Sequence, residues 1–127
     1  MARQNLLDRF LRCSVSIGNL VKQLPDDLFA KNIARQLVRS GTSPYANYKE
    51  ACAAESRRDF IHKLSICSKE LRESRAWIRL IQEAEITPRL ELVEVLGECE
   101  QLCRIVDKSI STARANRQRP FKPIRHF

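Results

Sequence analysis

Histidine and glycine are scarce in this chain, two and three respectively among 127 residues. Three scattered glycines (Gly18, Gly41, Gly97) cannot build a glycine-rich phosphate loop. His62 and His126 are too few for a dinuclear carboxylate centre, which needs Glu-x-x-His on two helices and a Glu from each of two others. His62 has only Asp59 at a matching step, and His126 lies in the tail, so His62 reads as a surface or interface residue. No serine or cysteine stands in a recognisable activating arrangement with a base. The expectation is a protein without catalysis, metal or cofactor.

Disulfide frameworks and zinc sites are equally unsupported. The five cysteines (Cys13, Cys52, Cys67, Cys99, Cys103) are odd in number and show no C-x-x-C spacing. Each falls within or beside an apolar helical pattern, as expected of small buried hydrophobes in a reducing compartment. Cys99 and Cys103 are one turn apart but lack a second ligand pair. Long apolar runs are also missing. Asp8, Arg9 and Arg12 break up the N-terminal hydrophobes, and the uncharged run over residues 13–21 is far short of the ~20 residues of a membrane span. No window resembles a signal peptide. These absences predict a soluble, cytoplasmic protein with no membrane partner.

What is present favours helices: Arg, Lys, Glu, Leu and Ala dominate. The length suits one domain that buries on the order of two-thirds of its unfolded surface without a staple. Apolar residues recur at three- and four-residue steps in four segments. The first, over residues 3–24, carries Leu6, Phe10, Cys13, Ile17, Val21 and Leu24, with Leu7, Leu11, Ser14 and Gly18 widening the stripe; Pro25 stops it. Asp26 is the expected N-cap of the second, which buries Phe29, Ile33, Leu37, Val38, Tyr45, Tyr48 and Cys52. Pro44 lies inside that pattern, after Gly41, Thr42 and Ser43. Because the periodicity resumes in phase, a kink is expected rather than a break.

Ser56 and Asp59 resemble a capping box and open the third segment. Its stripe is Phe60, Leu64, Cys67, Leu71, Ser74, Ile78 and Ile81, with Trp77 and Leu80 alongside. Thr87 followed by Pro88 signals the start of the fourth segment, with Val93, Leu96, Cys99, Cys103, Val106, Ile110 and Ala113. Four long helices joined by short turns must run antiparallel to their neighbours. The predicted fold is therefore all-α, an up-down-up-down four-helix bundle, over residues 1–114. A basic C-terminal arm over residues 115–127 follows.

Charge placement is more informative than its total of +8. From residue 111 onward there are five basic residues (Arg114, Arg117, Arg119, Lys122, Arg125) and no acid. The first 110 residues hold the other 18 basic and all 15 acidic groups, so the body is only +3. Cations interleaved with Phe121 and Phe127 suit nucleic acid, guanidiniums neutralising phosphates while rings stack on unpaired bases. The alternatives are a solubilising tail, or one whose Phe121, Ile124 and Phe127 dock on another protein. Lys31, Arg35 and Arg39 step by four along the second segment, either a solvated face or a second contact for nucleic acid. Arg39, Ser43, Asn47 and Glu50 climb one side of that segment, while Glu70 and Glu73 sit on the antiparallel third. Together they form a candidate polar network that sets helix register.

Residues 36–81, QLVRSGTSPYANYKEACAAESRRDFIHKLSICSKELRESRAWIRLI, hold the longest signature. Its Arg39, Ser43, Asn47, Glu50, Ala51, Ser56, Phe60, Lys63, Leu64, Lys69, Glu70, Glu73 and Trp77 resemble the pattern of the bacterial four-helix-bundle family named after the 23S rRNA intervening sequence protein. Pro44 departs from that pattern, standing where relatives usually carry an apolar helix former. The resemblance implies a ring-shaped homopentamer of four-helix bundles. It extends to the accessory variability protein of diversity-generating retroelements, which partners a reverse transcriptase and its template RNA. Two functions follow as expectations. One is a noncatalytic scaffold that binds nucleic acid, RNA in particular, with a reverse transcriptase as a further partner. The other is an assembly module that contacts only proteins. In a pentamer the arms would gather roughly 25 positive charges.

Overall fold

The computed structural model describes residues 2–87 and 89–124. They form four helices: α1 (Ala2–Lys22), α2 (Leu28–Cys52), α3 (Arg57–Glu83) and α4 (Arg89–Ala115). α1 packs on α2 and α4, α2 on α3, and α3 on α4, and among the described residues the diagonal helices make no close backbone approach. Cross-helix contacts set the directions. Phe10 stacks on Tyr48 while Ser14 reaches Gly41, and Ser40 meets Ser74 while Pro44 meets Cys67. On both seams residue numbers rise on one helix as they fall on the other, so α1, α2 and α3 alternate in direction, and α4, packed on α3 after a short connection, completes an up-down order.

The core is a single cluster of inward positions from all four helices, including Phe10, Ile17, Leu37, Leu64, Ile78 and Leu102. All five cysteines are buried free thiols. Cys13 on α1 and Cys99 on α4 approach to 3.9 Å between Sγ atoms. Burial pushes the Cys67 thiol up to about 12. The thiol of Cys99 is likewise raised, by its contact with Cys13 and by burial.

Several expected inward positions are turned outward. Phe29, Val38 and Val93 are exposed, at 51%, 42% and 50%, and Leu11 and Leu80 are exposed as well. In α4 the buried stripe runs through Leu92, Val95, Cys99, Leu102 and Val106, one residue out of register with Val93 at its start. Leu20, absent from the expected stripe of α1, is buried. Polar side chains account for part of α2 and α3: Ser40 and Ser74 are fully buried and share a hydrogen bond of 2.9 Å. A serine pair satisfies itself where two leucines would overfill the seam.

The helix ends also differ in detail. Asp27 rather than Asp26 caps α2, accepting from the Ala30 N–H at 2.9 Å, while Asp26 pairs with Lys31. Ser56 caps α3 by accepting from the Asp59 N–H at 3.1 Å, as its spacing predicts. α2 runs unbroken through Pro44, which is buried and whose carbonyl accepts from the Cys67 thiol at 3.4 Å. α3 ends in a Schellman motif: Ile86 N–H bonds to the Ile81 carbonyl and Glu85 N–H to that of Gln82, with Glu85 at φ 54°. Thr87 does not cap α4 as expected, since its hydroxyl is buried and has no hydrogen-bond partner among the described residues. Pro88 lies outside the described residues.

Candidate nucleic-acid interface

The side chains expected to form one polar network fall into three separate groups. Arg39 on α2 donates to Glu70 at 2.9 Å and also bonds Glu73, both on α3. Trp77 Nε1 donates to the same Glu73 carboxylate at 3.1 Å, holding it from below by one helical turn. Asn47 bonds within α2, donating to the carbonyl and hydroxyl of Ser43. Glu50 pairs with Lys63 across the α2–α3 seam at 2.8 Å. Arg39, Glu70, Glu73, Glu50 and Lys63 therefore tie α2 to α3, whereas Ser43 and Asn47 tie α2 to itself.

The basic row on α2 is largely engaged. Lys31 is paired with Asp26 and Arg39 with two glutamates, so Arg35 alone of the three makes no ion pair among the described residues. Pairing with acids lowers the net positive charge that this face presents to a polyanion.

The arm is different. α4 ends at Ala115, and residues 116–124 leave it without regular structure and turn back along the bundle. Arg57, the first residue of α3, donates to the carbonyls of Arg117 at 3.3 Å and Arg119 at 2.7 Å. Phe121 packs on Phe60 with centroids 5.8 Å apart, and Ile124 lies against the core. Between the arm and the ends of α1, α3 and α4 opens a cleft of about 700 Å³. Arg57, Lys108, Arg119 and Lys122 are its charged walls, and among the described residues no acidic side chain lines it. Arg114 lies elsewhere, beside Ser68 and Asp107 in a smaller hollow of about 290 Å³ on the α3–α4 face. There Asp107 accepts from Ser68 at 2.6 Å and from Arg72 at 2.5 Å. Arg125 lies outside the described residues.

Of the cations expected to meet nucleic acid, then, the fold gathers Arg119 and Lys122, adds Arg57 and Lys108, and leaves Arg114, Arg117 and the α2 row outside the cleft. Arg57 and Lys108 carry no local signal. Each is one basic residue among many on a helix, and only the return of the arm places them together. Among the described residues no cluster of His, Cys, Asp and Glu could hold a metal, and no helix is long and apolar enough to cross a membrane.

Comparison with known proteins supplies the family. The chain is similar to a crystal structure from the S23 ribosomal protein family of Bacteroides thetaiotaomicron, a protein of unknown function. Identity is 32%, the match covers 83% of this chain and 97% of that one, and the TM-score is 0.75. No curated protein matches. The family model for the 23S rRNA-intervening sequence protein matches residues 2–108, ending short of the arm. On both grounds this chain belongs to the 23S rRNA-intervening sequence protein family.

Proposed function

We propose that the protein is a noncatalytic, cytoplasmic scaffold that binds nucleic acid, RNA in particular, through the basic cleft beneath its C-terminal arm. The observation that carries this reading is the set of four cations from three separate parts of the chain that line one hollow containing no acid. In a polypeptide with 15 acidic residues, such exclusion of negative charge favours a polyanionic partner. Assembly as a homopentamer belongs to the same proposal. Leu11 and Val15 on α1 and Val38 on α2 are exposed beside the seam where Ser14 meets Gly41, an apolar strip suited to contact with another copy.

A strip of that kind also suits the second reading, an assembly module whose partners are proteins alone. Electrophoretic mobility shift with structured RNA at several salt concentrations separates the two. Binding whose logarithm falls steeply with log salt, and weakens when residues 116–127 are deleted, supports the nucleic-acid reading. No shift even at low salt favours the protein module. Deletion should begin after Ala115, because residues 111–115 are still part of α4. A reverse transcriptase as partner is tested separately, by co-purification of the two proteins with and without nuclease.

A further inference from the structure

We infer that the cleft takes single-stranded rather than duplex nucleic acid, an unpaired base lying on Phe121 while Lys108, Arg119 and Lys122 hold the flanking phosphates. The inference rests on the nucleic-acid reading above and names the form of polyanion that the site accepts.

The cations come first. Arg57 is occupied by the carbonyls of Arg117 and Arg119, so it positions the arm and is not a free phosphate ligand. Lys108, Arg119 and Lys122 make no ion pair among the described residues, although Arg9, Arg12, Lys31, Arg39, Lys63 and Arg72 all do. Three unneutralised cations on opposite walls, α4 on one side and the arm on the other, suit a strand threaded between them. They do not suit a flat contact with a duplex backbone.

The shape agrees. A cleft of about 700 Å³ walled on one side by the arm has room for a nucleotide or two but not for the breadth of a paired helix. The aromatic lining agrees as well. Tyr48 is buried and stacked on Phe10 at 4.7 Å, so it serves as floor. Phe121 is only half-buried and sits tilted by 51° on Phe60, leaving ring surface open to the cleft. Base stacking on such a ring needs an unpaired base. Ser109 and Thr112 on α4, with Asn116 just past its end, line the cleft and add neutral hydrogen-bonding groups beside the ring.

Fluorescence anisotropy tests this with a labelled oligouridylate of about twelve nucleotides, an RNA duplex of the same length and a polyglutamate of matched charge. The single strand is expected to bind about tenfold more tightly than the duplex. Phe121→Leu keeps an apolar contact on Phe60 and should weaken the single strand by about tenfold while leaving the duplex unchanged. Lys108→Ala and Lys122→Ala, both exposed and outside the core, should each lower the single-strand salt slope by about 0.7. Equal binding of strand and duplex, both insensitive to Phe121→Leu, would overturn the cleft assignment and leave the nucleic-acid reading standing. Polyglutamate bound as tightly as oligouridylate would overturn it in favour of an acidic protein partner. No binding of either RNA at low salt would overturn both.

Discussion

Gly41 shows how one residue can set a helix–helix distance. A Cβ at that position would meet Ile17 Cγ2 at 2.6 Å and Cδ1 at 2.9 Å. The Cδ1 end can rotate away, but Cγ2 sits on the stiff β-branch and moves only with α1 itself. Ser14 Oγ also donates to the Gly41 carbonyl at 2.8 Å, so parting the helices would stretch that bond. Gly41→Ala gains helix propensity and loses this fit, and overpacking should win by about 1–2 kcal/mol, measured as a lower urea midpoint. In the sequence this glycine simply stands three residues before Pro44; its contact role needs α1 in place. Cys67 gives a second residue-scale expectation. Its folded thiol titrates near 12 against 9.0 when unfolded, so the folded state holds its proton more tightly. That contribution is complete below pH 9 and is lost as pH rises from about 9 to 12. Denaturant titrations across that range should show wild-type stability falling more steeply than that of Cys67→Ala.

Among the elements, the ends are less legible than the middles. The four helices follow from their stripes, because a face buried over six turns repeats its signal many times. A cap is one residue. Two adjacent aspartates precede α2, and the backbone places Asp27, not Asp26, in the extended conformation from which a carboxylate reaches the Ala30 N–H. Asp27→Ala should therefore cost about 1 kcal/mol, whereas Asp26→Ala loses only an exposed pair with Lys31 and should be close to neutral; thermal melts of both distinguish them. The α3 terminus hid for a different reason. Its left-handed position is usually glycine, the residue a reader looks for, and here Glu85 adopts φ 54° because Ile86 is drawn against the core and closes the motif. Glu85→Gly relieves the Cβ strain and should raise stability by about 0.5–1 kcal/mol, seen as a higher melting temperature.

At the scale of the whole molecule, two surfaces answer to different parts of the sequence. Half of the cleft was legible, since Arg119, Lys122 and Phe121 stand within four residues of one another in an acid-free tail. Arg57 and Lys108 were not, because their membership depends on where the arm turns back, and no periodicity encodes that. Exposed hydrophobes reverse the case. Leu11 and Val38 belong to the apolar stripes and were expected inside, yet the bundle closes without them. The stripes are wider than one bundle needs: Phe29, Leu80 and Val93 are left exposed on α2, α3 and α4, while Leu11 and Val38 lie beside the α1–α2 seam together with Val15, which is 55% exposed. An apolar excess at one place is what contact between copies requires, and a charge there would be desolvated on assembly without a partner. Val15→Glu should thus leave the monomer fold intact by circular dichroism, because the side chain faces solvent, and abolish the homopentamer proposed above. Sedimentation equilibrium or light scattering reads the outcome directly: a large assembly for wild type and a single chain for the variant. A variant that stays assembled would move the contact off this seam.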